Sequence, residues 1–203
     1  MTEVAHDDEP SVDGRTARRD RNRDLVLDAV IELFTEDHLA PNATDVAARS
    51  GVSLRSVYRY FEDLDALMRA AIERHAERVA PLLDVPDIGR GPFDERVARF
   101  VTWRLRLYEA AAPTARAAAL RTPMNPLLSE QMERVRATLR SQTAAMFARE
   151  LAAMSTPQRR AALSAVDTLL QFEGAEHLRV RLGNSQAQTN DILRRALTAL
   201  LTS

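Results

Sequence analysis

Residues 42–61 constrain this chain more than any other stretch. They read Asn-Ala-Thr-Asp-Val-Ala-Ala-Arg-Ser-Gly-Val-Ser-Leu-Arg-Ser-Val-Tyr-Arg-Tyr-Phe. Two short helices fit here, with a tight turn between them. Asn42 is a good N-cap, and Asp45 sits three residues on, among the first amides. Val46 and Ala47 give the first helix an inward face. Gly51 comes directly after Ser50, where that helix must stop, and glycine takes the left-handed backbone at little cost. Ser53 then caps a second helix whose Val57 and Phe61 point inward at i and i+4. Leu54 opens that helix, and its other faces carry Arg55, Ser56, Tyr58, Arg59 and Tyr60. Donors and aromatic bodies on a short, capped helix are what a helix-turn-helix presents to a DNA major groove.

The flanking sequence supplies the scaffold for such a unit. Val26, Ala29, Val30, Leu33 and Phe34 recur at helical spacing, which predicts an amphipathic helix over residues 21–37. Pro41 ends the connection. A fourth helix is expected over residues 63–83, with Leu64, Leu67, Met68, Ala71, Ile72, His75 and Val79 on one face. It would span about 30 Å and join the reading unit to the rest of the chain.

With these residues in view, Val46-Ala47, Gly51-Val52-Ser53 and Tyr58-Arg59-Tyr60-Phe61 resemble the signature of the tetracycline-repressor (TetR) family. Leu33-Phe34 before them and Leu67 after them complete the pattern, which covers roughly residues 21–70. The resemblance implies an all-α, homodimeric transcriptional regulator. Its N-terminal three-helix bundle would carry the helix-turn-helix, and its C-terminal portion would receive a small-molecule effector and form the dimer. About nine helices are expected in all. Tyr58 and Tyr60 would give their hydroxyls to phosphates, as the family's matching aromatic positions do. One position departs from the family. A Lys commonly faces a phosphate in the opening turn of the fourth helix, whereas this chain has Leu64 after Glu62 and Asp63.

The expected organisation is a disordered tail over residues 1–14, a DNA-binding domain over 15–62 and a ligand-binding and dimerisation domain over 63–203. Arg55 is expected on a base edge with Ser56 beside it, and Arg59 on a phosphate or on the open surface. Asn42 and Thr44, at the positive end of their helix, are expected to hold another phosphate. Arg15, Arg18 and Arg19 belong to a basic cluster that reads two ways. It is either a solvated leader or an arm lying on phosphates or in the minor groove.

The 203 residues are enough to bury a real core without a disulfide or metal staple, and there is no Cys. A net charge of −1 argues against coating nucleic acid over the whole surface, though not against one basic face. All 28 basic residues are Arg, which forks onto guanine edges and phosphates where Lys cannot. The apolar runs are short and interrupted and the N-terminus is acidic, so neither a membrane span nor a signal peptide is expected. A cytoplasmic protein is the expectation.

Beyond the loop at residues 84–92, helices are expected over 93–112, 113–121, 126–154, 157–182 and 185–201. Ser185 and Gln188 form a capping-box pair. Arg104 falls on an apolar stripe, where it either snorkels outward or meets an acid or an anionic ligand. His75, Trp103, Leu107, Met132 and Phe172 are the candidate effector contacts, each of which also reads as plain core. The C-terminal helical pair carries Leu163, Val166, Leu170, Leu193, Leu197 and Leu200. These pack either within the monomer or, as the resemblance implies, against a second copy. Glu173 and His177 sit at i and i+4, a spacing that suits an ion pair or hydrogen bond better than a metal. No phosphate loop, His-Glu-x-x-His or nucleophile elbow occurs, so no catalytic residue, cofactor or metal is expected. The partners expected are an operator duplex, a second copy and an effector of unknown identity.

Overall fold

A computed structural model describes residues 12–202 of the chain. It contains ten α-helices and, among the described residues, no strand. The chain divides into two compact units, one ending at Arg74 and the other beginning at His75. The expected tail lies outside the described residues as far as residue 11. Residues 12–14 open a helix.

In the first unit, α1 (Val12–Thr35) starts well before the expected residue 21. After Gly14 the sequence runs through Arg, Thr and Ala with no further Gly or Pro, so nothing local stops the helix. Arg15, Arg18 and Arg19 are therefore helical and exposed. The helices α2 (Ala43–Ser50), α3 (Leu54–Tyr60) and the start of α4 (Leu64–Val79) complete the unit. Val26, Val30 and Phe34 of α1 are buried with Val46, Val57, Phe61, Leu67 and Met68. Asp24 and Asp28, on the other side of α1, hold Arg74 of α4 at 2.7 and 3.0 Å.

In the second unit, the helix expected to end near residue 112 runs on. α5 (Phe93–Arg121) takes Pro113 into its interior. A proline there forfeits one backbone bond, but alanines 110–112 and 117–119 on both sides are the strongest helix formers. Two expected long helices are instead broken. The first becomes α6 (Pro126–Met146) and α7 (Ala148–Ala153). The second becomes α8 (Thr156–Leu169), α9 (Phe172–Glu176) and a π-helical turn over His177–Arg181. Each break lies where a side chain of α5 takes a main-chain carbonyl. Arg96 Nη1 donates to Met146 O at 2.5 Å, and the Tyr108 hydroxyl donates to Leu170 O. Finally, α10 (Gln186–Leu201) begins at the expected Ser185/Gln188 capping box.

Arg104 neither snorkels nor meets an acid. It is 2% exposed, lies over the Phe100 ring at 4.9 Å, and donates to Leu139 O and Gln142 Oε1. Burial, partly offset by Tyr108, holds its pKa below the ordinary guanidinium value. Gln142 is engaged as well, donating to Leu83 O at 2.6 Å. The C-terminal leucines need a correction too. Val166, Leu170, Leu193 and Leu197 are buried in this unit's own core, and only Leu163 and Leu200 are half-open. An amphipathic stripe has the same spacing whether it faces its own chain or another, and here α10 packs on α5 and α8 while α8 packs on α6.

Candidate nucleic-acid interface

The reading unit is assembled from local hydrogen bonds. Asn42 Oδ1 accepts from the amides of Thr44 and Asp45 at 2.8 and 3.0 Å, and Asp45 Oδ2 accepts from the Asn42 amide at 2.9 Å. This reciprocal cap fixes where α2 starts. It also satisfies three amides at the positive end of the helix, so a phosphate arriving there meets chiefly the exposed Thr44 side chain. Gly51 closes α2 with φ 68°, and its amide donates to Ala47 O at 3.1 Å. Ser53 caps α3, accepting from the Ser56 amide at 3.3 Å. Removing such a cap costs roughly 0.5–2 kcal/mol, a large fraction for a seven-residue helix.

Capping and burial together orient α3. Val57 and Phe61 are buried, which turns Leu54, Arg55, Tyr58 and Arg59 outward. Tyr58 is 56% exposed, an open aromatic surface with no core role. Arg59 is engaged within α3: Nη2 donates to Ser56 Oγ at 3.3 Å and to the Tyr60 hydroxyl at 3.2 Å, and the guanidinium lies over the Tyr60 ring. The Arg59 hydrogen bond is the main reason Tyr60 titrates below its ordinary value. An Asn22 hydrogen bond and the charges of Arg59 and Arg19 act in the same direction against a smaller desolvation effect. Asn22 was not singled out in the sequence, although it lies one helical turn beyond Arg18 and Arg19. Arg49 is tied to Glu36 at 2.7 Å and to Glu32 at 3.6 Å. At Leu64 no cation replaces the family's Lys; Asp63 caps α4 by accepting from the Ala66 amide at 2.7 Å.

The five candidate effector contacts do not meet in one cavity. Phe172 lines a cavity of about 220 Å³ in the second unit together with Leu105, Tyr108, Arg116, Glu176 and Arg179. Trp103 borders a separate shallow recess, and its indole donates to Leu82 O at 2.8 Å. Leu107 is buried core and Met132 is half-buried. His75 Nδ1 lies 2.8 Å from Thr114 Oγ1, and the Thr114 hydroxyl lies 3.1 Å from Ala111 O, to which it donates. Burial, with the charge of Arg78, keeps the ring below its ordinary pKa. Glu173 pairs with Arg136 of α6 at 2.8 Å. No helix among the described residues is long and apolar enough to cross a membrane.

The fold these residues build has known counterparts. It matches a TetR-family transcriptional regulator from Streptomyces coelicolor with a TM-score of 0.64 at 16% identity, covering 89% of this chain and 79% of that one. It also matches a transcriptional regulator from Rhodococcus sp. Rha1 with a TM-score of 0.63 at 20% identity, covering 91% and 96%. The chain has the all-helical fold of the TetR-family regulators. In sequence it is 32% identical over 99 residues to the HTH-type transcriptional repressor LfrR of Mycolicibacterium smegmatis. That match covers 48% of this chain and 50% of LfrR, so the chain spans about half the length of the curated relative it matches. No family model matches the chain. The resemblance to the TetR family carried by residues 42–61 is thus supported by both a sequence relative and the fold.

Proposed function

We propose that this protein is a transcriptional repressor that binds a near-palindromic operator as a homodimer and is released from it by a small molecule. The observation that carries the reading is the orientation of α3. Two buried residues, Val57 and Phe61, and two side-chain caps hold a helix whose open face offers Arg55 and Tyr58. Two copies of α3 would enter successive major grooves about 34 Å apart. Arg55 reads a base edge, most favourably guanine through two parallel hydrogen bonds, with Ser56 beside it. Tyr58, Tyr60 and Thr44 hold phosphates and set the register. The name of the related LfrR favours repression over activation. Release acts by population shift: a molecule bound in the C-terminal unit favours a dimer geometry that places the two α3 helices at the wrong spacing. Its effect cannot exceed its differential affinity for the two geometries. The cavity beside Phe172 is where such a molecule would first be sought.

Selection of bound duplexes from a randomised library tests the reading. The wild type should recover a two-fold sequence. Arg55→Ala should cost about 1–3 kcal/mol and relax preference at one position per half-site. A recovered sequence unchanged by Arg55→Ala would retire that assignment.

A further inference from the structure

The face of α1 that packs on its own bundle does not end where the bundle ends. Val26, Ala29, Val30 and Leu33 form its buried line. Continued toward the N-terminus at the same three- and four-residue steps, that line becomes Arg15, Arg18, Arg19, Asn22 and Arg23. Its first members to meet the bundle meet the end of α3. The Arg23 guanidinium lies over the Phe61 ring at 5.2 Å, and Asn22 and Arg19 both act on the Tyr60 hydroxyl, lowering its pKa. The helix then continues past α3. Residues 12–19 extend it by about 10 Å of axis, a length over which a duplex presents several phosphates. Asp24 and Asp28 lie on the opposite side of α1, where Arg74 holds them.

From this placement we infer that the N-terminal overhang of α1 is a rigid arginine rail that grips the phosphate backbone flanking the half-site read by α3. The inference rests on the proposed DNA-binding function and names a second, sequence-independent contact surface for it. The helical state decides which part of the duplex is gripped. A helix with its side chains is about 10–12 Å across, whereas the minor groove is about 6 Å wide, so the rail lies along the backbone and does not enter the groove. The Arg23–Phe61 contact joins the rail to the end of α3, where Arg59 also holds the Tyr60 hydroxyl.

The test uses the full chain and the duplex recovered by library selection, with binding measured from 50 to 200 mM salt. Four proteins are compared: wild type, the double variant Arg18→Ala/Arg19→Ala, Asp20→Ala and Asp20→Pro. The last two lose the same exposed carboxylate and keep every arginine, but only the proline breaks the helix across residues 16–20 and takes Arg18 and Arg19 out of it. Each lost phosphate contact lowers the slope of log affinity against log salt by about 0.9. The double variant should therefore lose about 2 from the slope per bound protomer, keep the wild-type base preference, and stop responding to shortened duplex flanks. Asp20→Pro should lose a comparable share relative to Asp20→Ala. An unchanged slope in the double variant overturns the rail, and so does an Asp20→Pro protein that behaves as Asp20→Ala while the double variant loses slope. A wild type that recovers no duplex fails earlier and takes the DNA-binding function down with the rail.

Discussion

Glu150→Ala tests the packing of the second unit at its most demanding point. Arg96 is 2% exposed and each nitrogen of its guanidinium has a partner, with Glu150 at 2.5 Å, Met146 O at 2.5 Å and Gly91 O at 3.2 Å. Phe93 and Phe147 lie about it at 5.8 and 5.9 Å. Removing the carboxylate leaves a cation in an apolar site, and breaking a buried pair in this way costs about 3–5 kcal/mol. Glu150 itself is 17% exposed, so water can reach the vacated side and the lower end, about 3 kcal/mol, is expected. Arg96→Met/Glu150→Leu removes both charges and should recover most of that loss. Urea unfolding followed through Trp103, the chain's one tryptophan, measures both variants within this unit. The pH dependence carries a second signature. Burial raises the Glu150 pKa, but the hydrogen bond from Arg96, a main-chain hydrogen bond and the charges of Arg96 and Arg149 together outweigh it and hold the folded value below the ordinary one. The stability gained is therefore complete above the ordinary carboxylate range and is lost as pH falls through the folded value. Wild type should lose more stability in acid than Glu150→Ala, and the two curves should converge. A cost below about 1 kcal/mol at neutral pH, typical of a surface pair, would refute the reasoning.

Three further outcomes follow from particular contacts. An added Cβ at Gly51 meets no atom within 4 Å, so Gly51→Ala should cost only the left-handed backbone penalty, about 1–2 kcal/mol by thermal melting. At Gly174 the same atom would lie 2.7 Å from Leu169 O and 3.0 Å from Thr168 O, so Gly174→Ala must push main chain apart and should cost the larger amount; the reverse order would contradict the packing of α8 on α9. Tyr108→Phe keeps the ring edge on Phe172 but strips the donor from the Leu170 carbonyl, for about 1–3 kcal/mol and faster amide exchange around residues 169–172.

What could be read from the sequence was what is local. Asn42, Gly51, Ser53 and Ser185 act within four residues of themselves, and each closes or opens a helix where its chemistry requires. The helix breaks at Phe147 and Leu170 could not be read this way, because the side chains that satisfy the carbonyls there, Arg96 and Tyr108, bond across 50 and 62 residues. Pro113 misled in the opposite sense, since the alanines around it outweigh one missing bond. Arg104 shows why a charge on an apolar stripe is ambiguous: carbonyls of another helix can hold it, and no spacing reveals them. The same ambiguity turned Val166, Leu170, Leu193 and Leu197 from expected dimer contacts into core. Arg96 itself carried a signal, four residues before Phe100 on the inward face of α5, but its partner Glu150 lies two helices later.

The most direct measurement is the ratio of affinities for the selected duplex and a scrambled duplex of equal length, taken by fluorescence anisotropy at about 150 mM salt. Specific protein–DNA complexes exceed non-specific ones by about 10³ or more, and a ratio of that order is expected here, falling when Arg55 is replaced by Ala. Equal binding to both duplexes would mean that the open face of α3 reads no sequence, and the account would be wrong.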